Sequence, residues 1–394
     1  MEFAHKLDAF APSVFVRLEQ ARAAAREAGR EIIDLSVGTP DFPPAPHIRE
    51  ALAESTEDLR MYQYAIQDEP SLIDAAVEWY GRRYGVALER DQVCGLTGSQ
   101  DGLAHLPLAL MNPGDTALLP DPGYPMFHTG VLLACGKTWL TPLSEEKGYL
   151  PDFDAIPQEV ARQAKLMILS YPANPIGRLA PDGFFEQAVY FAKKHDVFLI
   201  HDNAYSELTY DGKLGGSFLA APGALDVGVE LNSLSKSYNL TGARISFALG
   251  QADAVMALSR LKSNIDYGIF RPVQRMAVAA LTGPQGHLDE LRKAYQSRRD
   301  ALCGALAEQD WTVTPPEGTM FCWVRLPADA PASEEFALGL LRETGVTVVP
   351  GMSFGAQGDR FVRFALTQPE EKLREAARRI GSYMSGYTRH SAGA

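Results

Sequence analysis

Long hydrophobic runs are missing from this sequence: no apolar stretch reaches the roughly 18–20 residues that a membrane-spanning helix requires. The opening residues, MEFAHKLDAFAPSVFVRLEQ, lack the basic, apolar and small-residue zones of a secretory signal. Cysteine is scarce. Cys94, Cys135, Cys303 and Cys322 lie far apart, with no CxxC pair and no neighbouring histidine cluster, which excludes a zinc site and a disulfide framework. They read as buried free thiols in a reducing compartment, so the cytoplasm is the expected address. A basic excess is lacking too. With 37 Lys and Arg against 49 Asp and Glu, the formal charge is −12, and neither a nucleic-acid backbone nor an anionic membrane is an expected partner. Internal repeats, low-complexity tracts and long charge blocks are absent as well, which leaves an ordinary globular chain.

What is present is an α/β rhythm. At 394 residues the chain is longer than one ordinary domain and is expected to form two. Its 46% hydrophobic content is enough for a core in each. Residues 15–29, FVRLEQARAAAREAG, are Ala-rich and helical in character and stop at Gly29. A short apolar strand follows at 32–35, then a turn-rich run from Gly38 to Pro44. Strands are expected at 93–97, 116–119, 166–170, 197–201, 229–234 and 245–249, with helices at 99–111 and 183–194. Several of these strands are continuous apolar runs, the pattern of a mostly parallel sheet covered on both faces. The pattern changes near Gly283-Pro284-Gln285-Gly286. Beyond it come a long helix (288–309), short strands around Thr312, 321–325 and 361–366, and helices near 333–344 and 369–384. This reads as a large α/β domain over 46–285 and a smaller α+β domain made of 1–45 and 286–394.

Four short stretches carry chemistry. Ser233-Leu-Ser-Lys236 follows an apolar strand, and Gly242 and Arg244 come soon after. A lysine among small hydroxyls suits an imine with an aldehyde cofactor, while Ser233, Ser235 and Arg244 suit a phosphate; a solvated loop is the plainer reading. In Gly98-Ser99-Gln100-Asp101-Gly102 a strand ends and a helix opens, which makes either a phosphate seat or a simple N-cap. It matches neither GxxxxGK[ST] nor GxGxxG. Asp202, with Tyr205 three residues on, ends another apolar strand, where α/β sheets place ligands. Asp202 is suited to hold a proton on a pyridine nitrogen, or to cap a turn. Asn174, between Pro172 and Pro175 and just before Gly177, sits in a rigid turn facing either a cleft or its own backbone.

Taken together, the stretches make the chain recognisable. It resembles, over essentially its whole length, the fold-type I, pyridoxal-phosphate-dependent aminotransferases of class I/II. The landmarks are Gly38 with Pro40-Asp41, Gly98-Ser99, Asn112-Pro-Gly-Asp115, Pro122-Gly-Tyr124-Pro125, Asn174-Pro175-Ile-Gly177, Asp202 with Tyr205, Ser233-Leu-Ser-Lys236 with Arg244, and Arg363. The resemblance implies a large domain with a mostly parallel seven-stranded sheet and a smaller domain closing over the active site. It implies that Lys236 holds the cofactor and shuttles the proton, that Asp202 partners the pyridine nitrogen, and that Tyr205 and Asn174 bind the 3′-oxygen. It further implies that Tyr124 stacks on the ring, that Gly98, Ser99, Gln100, Ser233, Ser235 and Arg244 form the phosphate cup, and that Arg363 grips the substrate α-carboxylate beside Gly38. A buried-face arginine in Phe-Val-Arg-Phe also needs an anion on physical grounds.

The loops look most like those of the LL-diaminopimelate aminotransferase-like group, which implies amino-acid and 2-oxo-acid substrates. Diaminopimelate, aspartate, alanine and aromatic amino acids are the candidate donors, with 2-oxoglutarate as acceptor. A homodimer is implied too, with residues 265–271 and the Tyr62–Tyr64 region crossing the interface. Tyr64, or in its place Tyr62, is the candidate for the neighbouring subunit's phosphate, and Arg271 the candidate for a distal substrate charge or a plain loop arginine. The sequence departs from the family pattern with Ile176, Ser246 and Asp68 at positions usually Thr, Gly and Gly. A lyase of the same fold is the alternative activity. A regulator with a DNA-binding head is disfavoured, because the landmarks begin by Gly38 and the charge is acidic.

Overall fold

The fold was obtained as a computed structural model that describes residues 2–10 and 14–391. After an N-terminal helix (Val14–Glu27), strand β1 (Ile33–Asp34) leads through the turn at 36–44 into the helices Pro46–Thr56 and Pro70–Tyr84. The main sheet then forms from β2 (Val93–Leu96), β3 (Thr116–Asp121), β4 (Lys137–Pro142), β5 (Ala164–Ser170), β6 (Phe198–Asn203), β7 (Gly228–Ser233) and β8 (Ser246–Gly250). Its order is β2-β8-β7-β6-β5-β3-β4. Strands β3 to β7 pair in parallel, and β8 runs against both its neighbours. Six of the seven strands therefore point the same way, and their C-terminal ends share one edge of the sheet.

Alternation along each strand feeds two cores. Met167, Leu169 and Leu199 pack into one apolar cluster, and Leu166, Ile168 and Ile200 into another on the opposite face. The expected strands and helices of this region are present to within a few residues. Among the described residues no helix is long and apolar enough to cross a membrane.

The C-terminal part begins with the long helix Gly286–Ala307. It contains β9 (Phe321–Arg325), the helix Ser333–Thr344, β10 (Val346–Thr347), β11 (Val349–Pro350), β12 (Phe361–Ala365) and the helix Glu370–Ser391. Strands β11, β12 and β9 make an antiparallel sheet. The N-terminal β1 pairs in parallel with β10, so the start of the chain joins this second layer. Ile33 and Leu35 lie in the same apolar cluster as Phe336, Val346 and Phe364.

Two expectations fail. No strand forms around Thr312: residues 311–316 are irregular, because Pro315 and Pro316 have no N–H to donate to a ladder. Cys135 is exposed, unlike the other three thiols, because it sits at φ 55° in the turn between the helix Met126–Leu133 and β4.

Candidate active site

The common edge of the sheet is where the singled-out residues meet. Asp202 lies near the end of β6, and Ser233 ends β7 and accepts the Ser235 N–H at 3.2 Å as a short helical turn begins. Asn174 projects from the turn after β5, which contains cis peptides before Pro172 and Pro175. Tyr124 follows the cis Asp121-Pro122 bond at the end of β3. Gly98 follows β2 with φ 85° and precedes the helix Ser99–Leu110, whose first two residues line the same space. Its backbone angle favours glycine, and a Cβ there would stand 2.2 Å from Arg244 Nη2 and push that guanidinium aside.

Apart from Gly98, which stands just before Ser99, these candidates line one cavity of about 430 Å³: Ser99, Gln100, Tyr124, Asn174, Asp202, Tyr205, Ser233, Ser235, Lys236 and Arg244, with Gly38 and Arg363. Ser36, Val37, Thr39, Thr241 and Phe321 also line it and were not singled out from sequence. Thr241 lay within reach, inside the Lys236–Arg244 stretch. Phe321 did not, since only β9's pairing with β12 brings it beneath Arg363.

The electrostatics suit an anionic, aromatic aldehyde. Three cations, Lys236, Arg244 and Arg363, share the cavity with a single carboxylate, Asp202. Each cation's hydrogen bonds go to neutral acceptors. Lys236 Nζ donates to Gly38 O at 2.6 Å and Arg244 Nη1 to Thr241 O at 3.0 Å. Arg363 donates from Nη1 to Asn174 Oδ1 at 3.0 Å and from Nη2 to Ser36 O at 2.9 Å, while its buried Nε has no partner. Its guanidinium lies 3.9 Å from the Phe321 ring centroid and 4.8 Å from that of Phe354.

Burial, and then the charges of Arg363 and Arg244, lower Lys236 to about 8. Burial brings Arg363 down to about 10 and pushes Tyr205 well up. Burial also raises Asp202 to about 6, against the opposing charge of His201. Asp202 Oδ1 is enclosed and without a partner. A buried carboxylate oxygen in that condition asks for a donor, and a protonated ring nitrogen is one. Tyr124 Oη accepts from Gln100 Nε2 at 2.7 Å, which steadies an aromatic wall. The residues present therefore fit pyridoxal phosphate.

Three candidates stand elsewhere. Tyr62, Tyr64 and Arg271 do not line the cavity. Tyr62 packs edge-on to Phe270 and Tyr64 lies against Tyr267, both pairs at the surface, and Arg271 donates to the Tyr64 carbonyl at 3.3 Å. The departures from the family pattern have local accounts. Asp68 Oδ2 accepts the Gly95 N–H at 2.7 Å, and Ile176 fills the core. Ser246 is buried with its hydroxyl unpartnered, which nothing in the structure explains.

Fold and cavity together are those of a transaminase, and similarity to known proteins agrees. The family profile "Aminotransferase class I and II" matches residues 30–380. LL-diaminopimelate aminotransferase from Moorella thermoacetica is 43% identical over 382 residues, covering 96% of this chain and 98% of that protein. The apo structure of BacF from Bacillus subtilis is 37% identical with a TM-score of 0.94, covering 97% and 98% of the two chains. A probable N-succinyldiaminopimelate aminotransferase from Thermus thermophilus is 42% identical with a TM-score of 0.89, covering 94% and 100%. The chain belongs to the class I and II aminotransferases and is a pyridoxal-phosphate-dependent aminotransferase. The lyase alternative finds no support among these relatives.

Proposed function

We propose that the cavity carries out transamination with Lys236 as the cofactor-bearing and proton-moving residue, and that the amino donor is LL-diaminopimelate with 2-oxoglutarate as acceptor. The convergence of Lys236, a partnerless Asp202 oxygen and two arginines bonded only to neutral groups carries the site reading. Pyridoxal phosphate, when bound, supplies an aldehyde carbon that takes up the amino group and a cationic ring that stabilises the electrons left as the α-proton departs.

The remaining work falls to this chain's side chains. Lys236, lowered to about 8, is partly uncharged near neutral pH and therefore nucleophilic. With cofactor and substrate bound, its Nζ would be the base that takes the proton from the substrate α-carbon and the acid that returns it on the cofactor side. Asp202 Oδ1 accepts the pyridine N–H and keeps that nitrogen protonated. Asn174 Oδ1 is already engaged by Arg363, which leaves Nδ2 as the free donor toward the 3′-oxygen, alongside Tyr205. Tyr124 stacks on the ring. Gly98, Ser99, Gln100, Ser233, Ser235 and Arg244 bind the phosphate, assisted by the helix N-terminus. Arg363 grips the α-carboxylate, with Gly38 leaving space beside it.

The units in this reading are a large cofactor-binding domain, 46–285, and a small domain of 1–45 with 286–394. The active molecule is a cytoplasmic homodimer. Support for diaminopimelate comes from the names of the full-length relatives; aspartate, alanine and aromatic amino acids are the other donors to test. Incubation with each donor and 2-oxoglutarate should give glutamate fastest from LL-diaminopimelate. Turnover of another donor with none of diaminopimelate would overturn the substrate while leaving the class standing.

A further inference from the structure

Behind Asp202, on the other face of the sheet, lies a buried polar pair that the roles above do not use. His201 on β6 and Glu230 on β7 are directly opposite in the parallel register, and both are fully buried. Alternation puts them on the face away from Asp202. Glu230 accepts five hydrogen bonds. Tyr80 Oη (2.7 Å), Ser217 Oγ (2.9 Å) and Asn203 Nδ2 (3.0 Å) reach Oε1, while the Phe218 N–H (2.8 Å) and His201 Nδ1 (2.9 Å) reach Oε2. Burial opposes its charge, but the bonds from His201, Asn203 and Tyr80 together hold Glu230 below the ordinary carboxylate value.

A carboxylate in that state only accepts, so Nδ1 of His201 carries a proton and the ring is oriented by it. The opposite nitrogen, Nε2, lies 3.2 Å from the Tyr171 N and 3.0 Å from the Tyr171 O. The ring thus finds a backbone partner at Tyr171 as acceptor or as donor. Tyr171 is the first residue of the turn that presents Asn174, and Asp202 follows His201 directly. Around this pair stand Asp202 on the same strand, the hydroxyls of Tyr80 and Tyr84 from the helix Pro70–Tyr84, and the uncharged rings of Phe185 and Phe218.

We propose that Glu230 and His201 are a positioning pair for the cofactor ring: Glu230 orients His201, and His201 locks together the strand ends that carry Asp202 and Asn174. The proposal rests on the assignment of those two residues to the ring. The pair touches neither substrate nor cofactor, so its loss acts through where Asp202 and Asn174 stand.

The test compares wild type with Glu230→Gln and His201→Gln after removal and return of pyridoxal phosphate. Both variants should bind it about tenfold to a hundredfold more weakly, the change expected for a displaced charge-assisted bond. The visible band of the bound cofactor should shift, and kcat at saturating cofactor should fall; KM for the amino acid should rise only as far as Asn174 carries Arg363 with it. A variant that folds, melts lower, and yet keeps wild-type cofactor affinity and band would overturn the proposal by showing a merely structural role. Asp202→Asn serves as control. If it too binds cofactor normally, the ring assignment itself fails; if it binds weakly while His201→Gln does not, only the pair fails. Should neither pair variant fold, NMR of isotopically labelled histidine in the wild-type holoenzyme decides. A hydrogen-bonded Nδ1–H at His201 supports the pair, and a ring protonated at Nε2 alone overturns it.

Discussion

Arg363 and Arg244 share one cavity, and their surroundings separate the tasks proposed for them. Arg363 is buried between two phenylalanine rings, whereas Arg244 is exposed at a left-handed φ of 55° near the helix N-terminus. Arg363→Ala should therefore cost on the order of tenfold to a few hundredfold in kcat/KM, with cofactor content unchanged. Arg363→Lys keeps the charge but loses the planar fork, and should weaken amino and keto acids alike. Arg244→Ala should first lose cofactor retention, and excess cofactor should partly restore its rate.

The two shifted titrations make a second prediction. If Lys236 captures the cofactor, it reacts as the free amine, so the rate of capture by the apoprotein should rise with pH and level off above about 8. Asp202 works in the opposite sense on stability. The folded apoprotein holds that proton more tightly than the unfolded chain, so the associated stability is present at low pH and is lost as pH rises from the ordinary 3.8 to about 6. Asp202→Asn should accordingly melt higher than wild-type apoprotein above about pH 6 while binding the cofactor less tightly. Calorimetry of both apoproteins across that range checks the sign.

Among the elements, the connection from β2 into the helix Ser99–Leu110 bears most of the phosphate reading. Asp101 accepts the Thr97 N–H at 2.8 Å and its hydroxyl at 2.9 Å, and it is ion-paired with Lys262. Gly98→Ala must hold a methyl group at φ 85° and displace the Arg244 guanidinium, which should destabilise the protein by about 1–3 kcal/mol and loosen the cofactor. Thermal melting and cofactor titration of one preparation measure both effects. Elements of this kind were legible in the sequence because they are local: an apolar strand, a glycine or proline turn, then a polar residue at the strand's end. Asn174 and Ser99 follow that grammar, and Asp202 and Lys236 follow it without the turn, at or just past the strand's end. Lys262 pairs with a residue 161 positions away, and β1 finds β10 across the whole chain, so neither pairing leaves a local mark. The opposed direction of β8 was equally hidden, since an apolar pentamer reads the same either way. Thr312 misled because β-branched residues suggest a strand while the prolines that prevent one come three residues later.

On the scale of the whole molecule, one surface is unusually apolar. Leu59, Tyr62, Tyr64, Ile66, Ile265, Tyr267 and Phe270 are all exposed, and the aromatic contacts Tyr62–Phe270 and Tyr64–Tyr267 join the two segments. If this face is where a second copy docks, sedimentation at micromolar concentration should give a dimer, and Tyr267→Asp with Phe270→Asp should shift it toward monomer with loss of activity. A fully active wild-type monomer would refute the homodimer.

The guanidinium of Arg363 has a further consequence at this scale. It is bonded at once to Ser36, ahead of the large sheet in sequence, to Asn174 within it, and through its own strand to the C-terminal layer. If Arg363 grips the substrate, recognition is a junction of three chain segments that are remote from one another in sequence. Such a junction fails when the first of its members lets go. Heating should therefore abolish substrate binding no later than the temperature at which the N-terminal segment leaves the C-terminal layer, and a binding titration run alongside a thermal melt would compare the two.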